Sequence, residues 1–416
     1  MIISPAKRTE QIQEYYFSRK LKEIDALNEQ RFREAKPAVI NLGIGAPERM
    51  PPQEAIEELI SCAQKADSHK YQSYVGCKEL REAFAAWYQR YYGVSLDPKC
   101  EIQPLFGSKE GILLISLAFL NEGDKVLVPD PGYPTYSSAS KLVGAQILNY
   151  DLKEEEDWHP DFEALERMDL EGVKIMWTNY PNMPTGGRAS RDLYQRLVDF
   201  ALRHNILIVN DNPYSFILND EPLSIFGVEG AKDCALELNS LSKAHNMSGW
   251  RVGMIAGAKE YIAEVLKVKS QMDSGMFKPM QLAAVKALQQ GPQWYAELNA
   301  EYARRREVAF RIMSAIGLEF KRDSAGLFVW GRIPDDCLML TDADGMRGGA
   351  SLDVSRGERL SDDILYASGV FLTPGFIFGK NGENYLRISL CADVETLCRA
   401  ERAVKEWVSQ VGNVLR

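Results

Sequence analysis

The 416-residue chain holds only four histidines, and its seven cysteines (Cys62, Cys77, Cys100, Cys234, Cys337, Cys391 and Cys398) are odd in number. None stands in a CxxC or CxxH spacing. That excludes a zinc-ribbon pattern, disfavours a disulfide framework, and fits reduced thiols in a cytosol. Long apolar runs are also missing. The longest, Ile112 to Leu120, falls far short of the ~20 residues that span a bilayer, and a buried helix accounts for it. The N-terminal stretch MIISPAKRTEQIQEYYFSRK has neither an apolar core nor a small-residue cleavage site, so no signal peptide is expected. Net charge is a mild -9, which argues against a nucleic-acid surface. With 45% hydrophobic and 26% charged residues, the expectation is a soluble cytoplasmic protein.

What is present begins with length. A chain of 416 residues exceeds what one hydrophobic core usually serves, so two domains are expected. From Lys125 onward, short apolar runs alternate with helical patterns. KVLVPD, VKIMWTN, ILIVND and ALELNSLS predict strands buried on both faces. Between the second and third, RDLYQRLVDFALRHN repeats Leu193, Leu197 and Ala201 at helical spacing, one buried stripe. The alternation predicts βαβ crossovers and a mainly parallel sheet flanked by helices. NYPNMPTGG, DNPY and SKAHNMSG sit just past strands, at the carboxyl edge where open parallel sheets bind ligands.

The last third mixes a long charged helix, about Glu297 to Ile316, with GLFVWGRIP, VFLTPGFIFG and YLRISL. This pattern predicts a smaller α+β domain. Leu340 to Arg359 is too polar to pack and is expected to be a mobile excursion. Residues 1 to about 35 predict a helical arm.

The stretch SLSKAHNMSGWRVG, Ser240 to Gly253, places Lys243 just after an apolar strand and Arg251 eight positions on. Partial desolvation there lowers a lysine's pKa and makes its amine nucleophilic. Taken alone, Lys243 is better explained as a lysine that snorkels into water. Its neighbours reverse that preference. Asp211 in VNDNPY, Asn182 in NYPNMPTG, Tyr133 in PDPGYPTY and the pair Lys243 and Arg251 form an ordered set. Over about Asn41 to Leu390 the chain resembles the class I/II aminotransferases, fold-type-I pyridoxal-phosphate enzymes. GSKEGI, PDPGYP and SKxxNMxGWRxG look most like the aspartate, alanine and diaminopimelate branch.

The resemblance implies an α/β fold with an N-terminal arm and part of a small domain over 1–45. A large pyridoxal-phosphate-binding domain would follow over 46–295 and a C-terminal small domain over 296–416. Lys243 would hold the cofactor as a Schiff base and move a proton. Asp211 would face the pyridine nitrogen, Tyr214 and Asn182 the cofactor's 3′-oxygen, and Tyr133 would stack on its ring. The phosphate would fall to Gly107, Ser108 and Lys109 at a helix N-terminus, with Ser240 and Arg251. Tyr71 would reach the phosphate of a neighbouring subunit, which makes the enzyme a homodimer. Arg387 would grip the substrate α-carboxylate, and an arginine in an apolar strand is costly without such an anion. Gly45 would approach the bound amino acid. Glutamate and 2-oxoglutarate are the expected pair, in a ping-pong cycle.

Individually, several of these residues have blander explanations: Asp211 as a turn cap, Asn182 as a turn residue, Tyr133 and Tyr214 as core. His245 is expected to be structural. The family commonly has two asparagines in its NPTG turn, and here the second is Met183; the first, taken as the cofactor's partner, is kept. The same cofactor frame supports β-elimination on sulfur amino acids of the cystathionine type, and cyclopropane formation. Transcription regulators also carry the fold, but about 35 preceding residues are too few for a winged helix.

Overall fold

The computed structural model describes residues 2–10, 12, 14–337 and 354–414. Seven strands form the main sheet: β2 (Ile102–Leu105), β3 (Lys125–Asp130), β4 (Gln146–Asp151), β5 (Val173–Asn179), β6 (Leu207–Asp211), β7 (Ala235–Ser240) and β8 (Gly253–Gly257). Their order is β2-β8-β7-β6-β5-β3-β4. Strands β4, β3, β5, β6 and β7 are parallel, while β8 runs antiparallel to both β7 and β2. Residues of β6 and β7 are buried throughout, as expected for strands covered on both faces.

The helices form for local reasons and cover the sheet. In Arg191–His204, Ser190 accepts from the Leu193 amide at 3.0 Å at the start, and Asn205 turns left-handed at the end. Helix Ser108–Phe119 buries Ile112 and Ile115 in one core with Val126, Trp177, Val209 and Leu238 from the sheet.

A second sheet orders β12 (Thr373–Pro374), β13 (Tyr385–Ser389), β10 (Phe328–Arg332) and β9 (Glu319–Phe320), and β1 (Ile40–Asn41) pairs in parallel with β11 (Val370–Phe371). The long helix Pro292–Ile316 begins five residues before the expected Glu297. Among the described residues, no helix is long and apolar enough to cross a membrane.

The N-terminal segment is helical as expected, and one other expectation changes. The N-terminal arm contains helices Lys7–Glu10 and Tyr16–Arg33, and the longer one is docked. Its buried Lys20 pairs with Asp362 at 3.0 Å, on the helix Arg356–Ser368. The polar stretch 340–359 falls outside the described residues up to 353, but 356–359 are helical rather than excursion. Ser355 caps that helix by accepting from the Glu358 amide at 3.1 Å, so three polar residues and a glycine sit in a capped first turn.

Candidate active site

Parallel strands bring their carboxyl ends to one edge of the sheet. There β5 leads to Met183, β6 ends on Asp211, β7 leads to Lys243, and β3 leads to Tyr133. Because Ser240 pairs with Gly253 across the antiparallel β8, and Leu105 pairs with Gly253 on its other side, Arg251 and Ser108 arrive at the same edge. A cavity of about 380 Å³ lies here, lined by Lys243, Asp211, Tyr214, Tyr133, Ser108, Lys109, Ser240, Arg251, Gly45 and Arg387 among others.

Lys243 Nζ donates to the Gly45 carbonyl at 2.5 Å and lies 6.0 Å from the Tyr214 ring centroid. Enclosure by protein holds its pKa below the usual lysine value, and the charges of Arg387 and Arg251 act in the same direction. Asp211 Oδ2 accepts from the Tyr136 hydroxyl at 2.9 Å, while Oδ1 is buried without a hydrogen-bond partner. Burial pushes this carboxyl up to about 7, against the opposing pull of Tyr136 and Lys243.

One corner of the cavity suits an anion. Ser108 starts a twelve-residue helix, whose N-terminus favours negative charge, and Ser240, Ser242, Ser248 and Arg251 face it. Arg251 Nη1 donates to the Ser248 carbonyl at 2.8 Å. Gly107, at φ +84°, has no room for a side chain, since a Cβ would collide with the Arg251 guanidinium.

Arg387 also lines the cavity. Its guanidinium carbon lies 4.0 Å from the Phe328 ring centroid and 4.7 Å from that of Phe378. Nη2 donates to the Gly43 carbonyl at 2.7 Å, Nη1 approaches Met183 Sδ at 3.2 Å, and buried Nε has no partner. Burial lowers its pKa to about 10. A buried guanidinium without a carboxylate partner among the described residues is a costly arrangement that an incoming anion would relieve.

Three expected site residues lie elsewhere. Asn182 does not line the cavity. Its Oδ1 accepts from Thr185 Oγ1 at 2.8 Å inside the turn, and Met183 presents its side chain to the cavity instead. Gly107 sits behind Ser108 rather than on the wall, and Tyr71 is on the surface, 91% exposed. His245 is buried against Tyr295, with Nε2 3.0 Å from its hydroxyl.

Sequence reasoning missed Tyr136, Asn179, Phe328, Phe378 and the N-terminal Tyr15, Phe17 and Leu21, all of which line the cavity. Tyr136 had a signal, three residues beyond Tyr133 at the start of one helix. Phe17 and Leu21 had none, because only chain closure brings the arm there.

The description "aminotransferase class I and II" matches residues 37–404. An LL-diaminopimelate aminotransferase of Nitratidesulfovibrio vulgaris (strain DSM 19637 / Miyazaki F) is 39% identical over 379 residues, 90% of this chain and 91% of that one. The enzyme of the same name from Dehalococcoides mccartyi (strain ATCC BAA-2266 / KCTC 15142 / 195) is 36% identical over 410 residues, 97% of this chain and 99% of its own. Among solved structures, substrate-bound BacF from Bacillus subtilis superposes with a TM-score of 0.87 at 31% identity, with 98% of each chain covered. The chain thus belongs to the class I and II aminotransferases and is a pyridoxal-phosphate-dependent aminotransferase of fold type I.

Proposed function

We propose that this enzyme moves the amino group of an α-amino acid to a 2-oxo acid in a ping-pong cycle, with Lys243 as both cofactor anchor and proton carrier. The observation that carries this assignment is the buried, unpartnered Asp211 Oδ1 in the same cavity as Lys243 and Arg387. The residues fit pyridoxal phosphate. Asp211 offers a carboxylate to a ring N–H, and pairing with that cation would return its pKa toward the usual range. Tyr133 offers a ring face, and Ser108, the Lys109 backbone amide, Ser240 and Arg251, seated on the close approach that Gly107 permits, would hold the phosphate. The bound cofactor supplies the electron sink that makes loss of the substrate Cα proton possible.

The remaining work falls to the protein. Arg387 takes the α-carboxylate through two parallel hydrogen bonds, and Gly45 brings backbone against the amino acid. Burial lowers the Lys243 pKa and so favours the free amine, the form that accepts the substrate Cα proton. Tyr214, on the cavity wall, is assigned to the cofactor's 3′-oxygen. Asn182 is assigned to shaping the turn that presents Met183.

Lys109 lies 5.1 Å from the Tyr15 ring centroid and 6.0 Å from that of Tyr133 at the cavity. Its ammonium is assigned to the distal carboxylate of 2-oxoglutarate or glutamate, the expected second pair. The homodimer remains part of the proposal, supported by Tyr71, whose exposed ring would reach the partner's phosphate. Seven free thiols support a reducing, cytoplasmic setting.

Lys243→Ala tests the central assignment. The variant is expected to fold, to lose the absorbance of lysine-bound cofactor, and to lose transamination by about 10³-fold or more. A variant that kept both the absorbance and the turnover would place the anchor elsewhere.

A further inference from the structure

The cavity separates its charges from its apolar surface. Its charged lining consists of Asp211, Lys243, Arg251, Arg387 and Lys109. The first four stand at the places proposed for the cofactor and the α-carboxylate. Lys109 is the remaining cation, and Asp211 is the one carboxylate among the described lining residues.

The rest of the wall is hydrocarbon and aromatic. Tyr15, Phe17 and Leu21 come from the N-terminal arm, Ile44 from the loop after β1, and Phe328 and Phe378 from the second sheet and its neighbouring loop. Tyr15 and Leu21 are each 37% exposed and Ile44 is 42% exposed. Large apolar side chains left open around a cavity gain most when a ligand's apolar surface covers them. At the turn where the family carries an asparagine, Met183 supplies a thioether, which packs well against irregular or aromatic surfaces. The wall is anchored, since Lys20 on the arm is paired with Asp362 at 3.0 Å.

A diamino dicarboxylate such as LL-diaminopimelate ends in both an ammonium and a carboxylate. Lys109 is available to the carboxylate, but among the described residues of this chain no lining carboxylate remains for the ammonium, whose burial without a partner is costly. A site built for hydrogen bonds and one built for hydrocarbon reject each other's substrates unequally.

We propose that the amino-group donor of this enzyme is an α-amino acid with a large apolar, preferably aromatic, side chain, selected by Phe17, Leu21 and Ile44. This rests on the placement of Arg387 at the α-carboxylate and Lys243 at Cα.

The test uses the cofactor-loaded enzyme with 2-oxoglutarate, comparing kcat/KM for phenylalanine, leucine, alanine, aspartate and LL-diaminopimelate. Glutamate with phenylpyruvate is run in reverse. Phenylalanine is expected to exceed alanine, aspartate and LL-diaminopimelate by about tenfold or more. Phe17→Ala should lower the phenylalanine-to-alanine ratio of kcat/KM by about 10- to 100-fold, mainly through KM. Ile44→Ala, at an exposed position that costs little stability, should lower it in the same direction. Faster turnover of LL-diaminopimelate or aspartate overturns the proposal, as does an equal loss on all donors in both variants. Turnover of glutamate with small acceptors but not phenylpyruvate overturns the specificity alone. Turnover with no donor and no acceptor overturns the placement of Arg387 and Lys243 as well.

Discussion

The Tyr136 hydroxyl donates to Asp211 Oδ2 at 2.9 Å and leaves Oδ1 of the same carboxylate buried and unpartnered. This half-satisfied acid makes the cofactor-free protein sensitive to pH in a definite direction. Burial raises the folded-state pKa of Asp211 to about 7, from 3.8. The folded state therefore holds the proton more tightly than the unfolded chain between those values. Its contribution to stability is full below pH ~4 and is lost as pH rises through ~7. The loss is on the order of 2–4 kcal/mol. Asp211→Asn should flatten this part of the stability curve of the apo-protein, read as Tm from pH 4 to 8. Cofactor, which offers a ring cation, should stabilise the wild type more at pH 8 than at pH 5. A cofactor-induced Tm shift that is the same at both values would count against Asp211 as the ring partner.

Tyr136→Phe isolates the other half of the pair. The hydroxyl favours the charged carboxylate, so its loss should raise the Asp211 pKa further and weaken the ion pair offered to the cofactor. A hydrogen bond to a charged group is worth about 1.5–3 kcal/mol. The cofactor Kd should therefore rise by about 10- to 100-fold. Titration of apo-protein with cofactor, followed by absorbance, measures it. An unchanged Kd would show that Tyr136 serves packing against Trp177, on which its ring stacks at 5.1 Å.

How much of this was legible beforehand depended on whether a residue's signal was local. Strands β3, β5, β6 and β7 were readable because continuous burial leaves continuous apolar runs. Short β2, with Pro104, and β8, with glycines at both ends, carry little propensity and owe their pairing to the sheet around them. Edge strand β4 is only partly buried, which blurs its pattern. At the site, Lys243, Asp211 and Arg387 stood out because each pairs a charge with an apolar context. The aromatic wall did not, since Phe17 meets Arg387 across 370 positions, with centroid and guanidinium 5.9 Å apart. Asn182 and Met183 show a finer limit. Motif order located the turn, but which of two adjacent side chains faces the cavity depended on the hydrogen bond from Thr185.

Arg387→Lys keeps the positive charge and removes the fork. A lysine offers one point charge where two parallel bonds are needed, and its ammonium stacks less well between Phe328 and Phe378. KM for donor and acceptor should rise together by about 30- to 100-fold, because one position serves both half-reactions. The absorbance of bound cofactor should stay as in the wild type. A rise in KM for only one of the two substrates would place the carboxylate of the other elsewhere.

Asp130 ties the main sheet to the aromatic wall and supplies a test of positioning at a distance. Its carboxylate accepts from the amides of Lys380 and Asn381, each at 3.0 Å, and its carbonyl accepts from Asn381 Nδ2 at 3.1 Å. The Gly132 amide then reaches the Phe378 carbonyl at 2.7 Å. These bonds fix the segment that sets Phe378 against Arg387. Gly379, at φ +137°, makes room, since a Cβ there would collide with the Asp130 carboxylate. Asp130→Ala leaves two part-buried backbone donors without their charged acceptor and should cost about 1.5–3 kcal/mol. It should also raise KM more than it lowers kcat, because Asp130 is absent from the cavity wall. Asp130→Asn keeps one acceptor oxygen and should recover part of both losses. Thermal unfolding and steady-state kinetics on the pair decide the matter. If Asp130→Ala lowered Tm but left KM unchanged, the link would be structural, and Phe378 would hold Arg387 without its help.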